Sequence, residues 1–234
     1  PRVVRMAARS GARTLTYGFD DGADVTAADV ASAGAAGMRF TLRTSAGRRA
    51  VATPALGRHG VHNALAGAAT GLAAGLRLDE IVAGLEEGWQ APHRDTLIRA
   101  GEVTILDDSY NASPASVLAA LDLLASLPAR RRVAVLGEML ELGGGSEAGH
   151  REVGSAAASV AGLIVVVGAG ADALAEAAAA DAPATTRVLR ATDASEALEV
   201  LRPRLRAGDV ILVKGSRGVG LELVVDGLAA EATS

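Results

Sequence analysis

Two periodicities divide the chain. From Thr96 onward, short apolar runs alternate with Ala- and Leu-rich segments of helical period. Thr96–Arg99, Val103–Leu106, Arg132–Leu136, Leu163–Val167, Arg187–Leu189 and Val210–Val213 read as strands. Ala115–Leu127, Glu147–Val160, Asp172–Ala180, Ala194–Leu201 and Leu221–Ala230 read as helices. A run such as Ile164-Val165-Val166-Val167 carries no polar position, which predicts a strand buried on both faces and hence an α/β fold with a mostly parallel sheet between helix layers. The earlier part reads differently. Val3–Ala8 looks like the end of a helix, while Thr14–Gly18, Ala23–Val30 and Met38–Thr44 alternate as strands. Arg48–Thr53 forms a hairpin partner through Ala46-Gly47, followed by a polar loop, Pro54–Gly60, and helices at Val61–Gly75 and Leu78–Glu86. Trp89-Gln90-Ala91-Pro92 interrupts both patterns and is the predicted linker, giving domains 1–91 and 92–234.

Composition narrows the class. Hydrophobic residues make up 50% of the 234 positions but aromatics only 2%, so the core must be built from Ala, Val and Leu. The net charge is −4 with no basic run, so nothing predicts a nucleic-acid surface. Cysteine is absent, which excludes disulfides and thiol nucleophiles and fits a reducing, cytoplasmic setting. No apolar run reaches membrane-spanning length, so no membrane insertion is predicted. The chain opens at Pro1 without Met and reads as a piece of something longer.

The polar residues that interrupt this pattern carry the chemistry. Val103–Leu106 runs straight into Asp107-Asp108-Ser109-Tyr110-Asn111, and Pro114 then opens a helix. That order puts two carboxylates, two hydroxyls and an amide at the carboxyl end of a strand, facing a helix N-terminus, where open α/β sheets bind ligands. A single Asp there often does no more than satisfy turn backbone; the whole cluster points to a ligand. Lys214 is the only lysine in the chain and stands at another strand end, in Val213-Lys214-Gly215-Ser216-Arg217. It is either a compact point charge for an anionic group or a snorkelling strand-end cation. His62 and Asn63 fall in the first turn of the helix at Val61, where Asn63 either caps or hydrogen-bonds a flat heterocycle. Gly137–Gly143 makes a further polar turn at the same sheet edge, and His150 in the next helix reads as a capping or packing residue. Gly168-Ala169-Gly170 is similar to a dinucleotide fingerprint, with Ala173 at the third glycine position. It follows a middle strand and the next strand ends in Leu189-Arg190, so a tight strand–helix turn is the better reading. A P-loop is absent, and no metal-ligand cluster or Ser–His–Asp set is persuasive.

Taken together, Asp107–Pro114, Leu136–Gly143, His150-Arg151-Glu152-Val153-Gly154 and Val213–Arg217 resemble the Mur ligase family. Gly57-Arg58-His59 with Asn63-Ala64-Leu65-Ala66 is similar to its adenine-side helix, and Pro92-His93-Arg94 to its domain-junction arginine. The resemblance is nearest to the branch that adds D-alanyl-D-alanine to UDP-N-acetylmuramoyl-tripeptide in peptidoglycan precursor synthesis. It implies the β/α tail of a P-loop-type ATPase domain over 1–91 and a C-terminal Rossmann-like domain over 92–234. It also implies ATP and Mg2+, with the P-loop and magnesium ligands upstream of Pro1. A monomer that makes an amide through an acyl phosphate is the expectation, with this chain inactive by itself. By position, Asn63 would contact adenine, Arg94 the nucleotide phosphates and Asp108 the ribose hydroxyls. Tyr110, Asn111, Lys214, Gly215, Ser216 and Arg217 would line the acceptor side, and no catalytic or metal-binding residue is assigned within the chain. Gly60, His93, Ser113 and Glu138 depart from the family's usual Asn, Gly, Asn and Asp. A sister ligase of the folylpolyglutamate type and a stand-alone nucleotide-binding module are the alternatives; the Lys214–Arg217 loop argues against the former.

Overall fold

Alternation of apolar and polar residues builds the first sheet. The computed structural model describes residues 2–88 and 91–231 and divides into two units, Pro1–Trp89 and Gln90–Ser234. After helix α1 (Arg2–Ala7), strands β1 (Tyr17–Gly18), β2 (Val25–Ser32), β3 (Met38–Thr44) and β4 (Gly47–Thr53) lie side by side in chain order. Strand β1 is parallel to β2, and the remaining pairs are antiparallel. Helices α2 (Gly57–Ala73) and α3 (Leu78–Glu87) contribute Val61, Leu65, Ala68 and Ile81 to a core with Val25, Phe40, Leu42 and Val51.

Two expectations for this unit are corrected. The strand expected over Ala23–Val30 runs instead to Ser32, with a bulge between Ala28 and Ala31 that puts Asp29 at φ 54°. The polar loop Pro54–Gly60 is only half a loop, because α2 starts at Gly57. Gly60 is buried within that helix, and a Cβ there would lie 3.1 Å from the Ala55 Cβ. This contact suits glycine where a larger residue would have to push the loop away. The predicted linker has Trp89 and Gln90 outside the described residues.

The second unit begins with β5 (Thr96–Ala100) and β6 (Val103–Asp107), followed by α4 (Pro114–Ser126), β7 (Arg131–Gly137), α5 (Ser146–Val160) and β8 (Leu163–Val167). It ends with α6 (Asp172–Asp181), β9 (Arg187–Ala191), α7 (Ala194–Leu201), β10 (Asp209–Lys214) and α8 (Glu222–Glu231). The sheet order is β5-β6-β10-β7-β8-β9, parallel except for the β5–β6 pair. Ile105, Val133, Val135, Val165, Ile211 and Val213 pack on one face against Ala197, Leu201, Val224 and Leu228 of α7 and α8. Alternation sends Leu106, Ala134, Leu136, Ile164 and Leu212 to the opposite face, where the small residues of α5 let α6 approach. A Cβ on Gly154 would stand 2.3 Å from the Leu174 carbonyl oxygen, so α5 and α6 touch backbone to backbone there. Among the described residues no helix is long and apolar enough to cross a membrane.

Helix starts in this unit follow local chemistry. Ser113 caps α4 by accepting from the Ser116 N–H, with Pro114 at the first helical position. Asp193 caps α7 by accepting from the Glu196 N–H at 2.9 Å, and Glu196 reaches back to accept from the Thr192 hydroxyl and N–H, both at 2.7 Å. The Thr192 hydroxyl and then its N–H hold the Glu196 carboxyl below its usual range. A depressed carboxylate contributes stability above its unfolded value and loses it as pH falls through the folded one. Thr192→Val is therefore expected to raise the Glu196 pKa towards that of an ordinary glutamate in an NMR titration. An unchanged value would show that the backbone bond alone sets it.

Candidate functional site

The placement of β10 between β6 and β7 assembles the site. Residues 107 and 213 are register partners, as are 214 and 136, so three strand ends open side by side at one carboxyl edge. Asp107, Asp108 and Ser109 leave β6 buried, and Lys214 and Ser216 leave β10 buried.

Each acid has a different partner. Asp107 turns the chain locally, its Oδ1 accepting from the Ser109 N–H at 3.1 Å and the Ser109 hydroxyl at 2.7 Å. Its Oδ2 lies 2.9 Å from His93 Nδ1. His93 stands at φ 58°, a left-handed conformation in which glycine carries no Cβ penalty, and the Asp107 contact helps hold it there. Asp108 extends the ladder by donating its N–H to the Val213 carbonyl at 3.0 Å. Its Oδ2 receives the Lys214 ammonium, which also donates to the Asn111 carbonyl at 3.0 Å. Lys214 is only 2% exposed, so it is neither a snorkelling cation nor a surface charge: it ties the 108–111 turn to β10.

Above this buried pair lies an exposed layer. Arg94 and Arg217 both place their guanidinium carbons over the Tyr110 ring, at 4.5 Å and 5.0 Å from its centroid. Arg94 comes from the turn before β5 and Arg217 from the loop after β10, and Tyr110 is 38% exposed between them. Asn111 uses its side-chain oxygen on the Ala112 N–H.

The loop after β7 completes the wall. Gly137 and Gly215 face one another, and a Cβ on either would lie 3.1 Å from the other's Cα. The Ser216 N–H donates to the Glu138 carbonyl and its hydroxyl accepts from the Leu140 N–H at 2.9 Å, so two loops are stitched together. His150, 1% exposed, accepts from the Met139 N–H through Nε2 at 2.9 Å while Nδ1 lies 2.8 Å from the Ser146 carbonyl. This assigns the proton to Nδ1 and gives His150 a loop-holding role. Glu138 reaches across to the Gly168–Gly170 turn, its carboxylate accepting from the Gly170 N–H at 3.2 Å. A Cβ on Gly170 would collide with that carboxylate at 1.8 Å. Where a dinucleotide fingerprint would present N–H groups to a pyrophosphate, this chain has its own anion in place.

Arg94, Asp108, Tyr110, Asn111, Lys214, Gly215, Ser216 and Arg217 thus share one edge of the second unit. Asn63 belongs to the first unit, where it is exposed. Because α2 starts at Gly57, Asn63 sits in its second turn rather than the first, too far along to cap the helix. His62 beside it contacts the rings of Tyr17 and Phe19. The sequence reading missed the roles of Glu138 and His93 as turn-fixing side chains. It also missed the pair at the opposite edge, where Arg131 grips Asp209 through Nε at 3.0 Å and Nη2 at 2.5 Å.

Residues 93–217 match the family model described as Mur ligase, glutamate ligase domain, and residues 1–71 match the Mur ligase middle domain. The chain is 37% identical to the UDP-N-acetylmuramoyl-tripeptide–D-alanyl-D-alanine ligase of Mycobacterium tuberculosis, aligned over 100% of this chain and 50% of that protein. A crystal structure of MurF from Acinetobacter baumannii superposes with a TM-score of 0.83 at 31% identity, covering 97% of this chain and 49% of that one. MurF from Thermotoga maritima, crystallised in complex with ADP, shares the fold at a TM-score of 0.82 and 23% identity, over 99% of this chain and 52% of that one. The chain spans about half the length of the curated relatives it matches. With one family model matching residues 93–217, more than half of the chain, and a second matching residues 1–71 before it, the protein belongs to the Mur ligase family.

Proposed function

We propose that this chain is the C-terminal half of an ATP-dependent amide ligase that adds D-alanyl-D-alanine to UDP-N-acetylmuramoyl-tripeptide. In this reading 1–91 is the end of the ATPase domain and 92–234 the domain that carries the acceptor. The observation that carries it is the meeting of the Asp107–Asn111 turn and the Lys214–Arg217 loop at one sheet edge, locked by Lys214. The relatives named for this reaction supply the substrate identities. ATP supplies a phosphoryl group that activates the tripeptide carboxylate as an acyl phosphate; the dipeptide amine then attacks the acyl carbon and inorganic phosphate leaves.

The residues present fit a nucleotide at this sheet edge. Arg94 offers a guanidinium fork to phosphate oxygens, and the Tyr110 ring beneath it limits the positions that fork can take. Asp108 would accept the ribose hydroxyls while Lys214 keeps the carboxylate in place. Asn63 would contact adenine from the first unit. On the acceptor side, Tyr110, Asn111, Gly215, Ser216 and Arg217 would receive the dipeptide, Arg217 pairing with its carboxylate. Among the described residues no cluster of His, Asp or Glu suits a metal ion, and none of these roles passes through magnesium.

Phosphate release by the complete gene product tests this. Release from ATP should require both UDP-N-acetylmuramoyl-tripeptide and D-alanyl-D-alanine, and Asp108→Ala should raise the KM for ATP by roughly tenfold for the loss of a charge-assisted hydrogen bond. Release with glutamate and a folate in place of these substrates would establish the sister ligase instead. Nucleotide binding without any turnover would leave a binding module.

A further inference from the structure

The amino-terminal edge of the second sheet carries a cavity of about 430 Å³ that the proposed reaction does not use. It spans the starts of neighbouring strands, and Arg131, Gly162, Thr185, Arg187, Arg204 and Arg206 are among its lining residues. Five- or six-residue strands put it roughly 15–20 Å from the carboxyl edge. Four arginines line it and no carboxylate does, on a chain whose net charge is −4. They arrive from separate stretches of sequence, Arg131 from Arg130–Arg132, Arg187 from the start of β9, and Arg204 and Arg206 from the segment before β10.

A structural duty accounts for one of the four and for part of a second. Arg131 is spent on Asp209 and on the Arg204 carbonyl at 2.7 Å. Arg204 donates one nitrogen to the Val200 carbonyl at 2.6 Å, capping the end of α7. The remainder has no such explanation. Arg204 Nε is buried with no hydrogen-bond partner, which is an unfavourable state for a charged donor. Among the described residues the guanidiniums of Arg187 and Arg206 make no hydrogen bond or ion pair, Arg206 giving only its backbone N–H to the Asp209 carboxylate at 2.8 Å. Three guanidiniums lining one cavity carry like charge, and a multivalent anion neutralises it while supplying oxygens for the forked donors.

We propose that this cavity binds a diphosphate group, through Arg187, Arg204 and Arg206, with the Thr185 hydroxyl as a neutral donor. Its volume falls within the range of small-ligand pockets and exceeds what inorganic diphosphate fills, so it accommodates a diphosphate ester as well. The site is separate from the edge assigned above to ATP and acceptor, and it stands whether or not that assignment does.

The test is a titration of the chain with inorganic pyrophosphate, followed by amide NMR. Saturable shifts at Gly162, Thr185, Leu205 and Arg206 are expected. Arg187→Ala and Arg206→Ala should each weaken binding by roughly tenfold or more for the loss of a charge-assisted contact. Both side chains are exposed and make no side-chain bond, so the variants should keep the parent's thermal midpoint. Titration with ADP separates the sources: shifts at these same amides assign the site to nucleoside diphosphates, and shifts with pyrophosphate alone assign it to the inorganic anion. The proposal is overturned by shifts confined to 108–111 and 214–217, by the absence of saturation at millimolar pyrophosphate, or by affinity indifferent to both substitutions.

Discussion

Lys214→Met should destabilise the second unit by about 3–5 kcal/mol, the usual result of stranding one member of a buried ion pair. Lys214 is 2% exposed and Asp108 7% exposed, so water cannot take over the solvation of the carboxylate that remains. The same substitution leaves the Asn111 carbonyl without its ammonium donor. In urea the midpoint should fall with little change in m, and the thermal midpoint should drop by on the order of 10 °C. The second substitution matters as much as the first. Removing the charge from both partners, as in Asp108→Asn with Lys214→Met, should recover most of the loss, since the penalty lies in the uncompensated charge. A single variant within about 1 kcal/mol of the parent would place the pair among those that contribute little net stability, and its part in ordering the 108–111 turn would fall with it.

This pair also marks where reading the sequence stops. Strands β8 and β10 were legible because their apolar runs are unbroken, β6 because Thr104 alone interrupts its run, and α4 because Pro114 opens it; each signal is local. Lys214 and Asp108 are 106 positions apart, and only the return of β10 between β6 and β7 brings them together. The lone lysine stood out by residue type, yet nothing local distinguished an anion-binding role from a snorkelling one. Glu138 filling the Gly168–Gly170 turn is a contact of the same kind: the fingerprint could be doubted from its position, but the carboxylate that occupies it follows β7, 32 residues earlier. The early start of α2 was missed because Gly57, Arg58, His59 and Gly60 carry no apolar period and two of them are poor helix formers. Packing of Gly60 on Ala55 compensates there, and packing is not visible in propensity. The basic cavity escaped notice because composition averages over the chain, while the fold gathers arginines from three stretches at one edge.

Gly215→Ala should separate activity from stability in the complete gene product, measured in the ligase reaction proposed above. Gly215 meets Gly137 where the loops after β10 and β7 run closest, and a new Cβ would lie 2.8 Å from Leu221 Cδ1 and 3.1 Å from the Gly137 Cα. The leucine end can rotate away; the glycine backbone cannot. The loop must therefore move outward by a few tenths of an ångström or more, carrying Ser216 and Arg217 with it. Ser216 holds Leu140 and Glu138, and Arg217 lies over Tyr110, so the shift reaches the proposed acceptor side directly. Overpacking of this kind typically costs about 1–3 kcal/mol in stability. A misplacement approaching 1 Å at a reacting geometry is worth roughly 100-fold in rate. Turnover should accordingly fall, with that factor of roughly 100 as its upper bound, and the KM for D-alanyl-D-alanine should rise while that for ATP changes little. Gly154→Ala is the comparison that gives this meaning. Its Cβ would strike the Leu174 carbonyl at 2.3 Å where α5 packs on α6, away from the strand ends, so it should lose at least as much stability while retaining turnover at temperatures where it is folded. Equal losses of activity in the two variants, scaling with their stability, would show that Gly215 serves the fold alone and would remove the Lys214–Arg217 loop from the acceptor side.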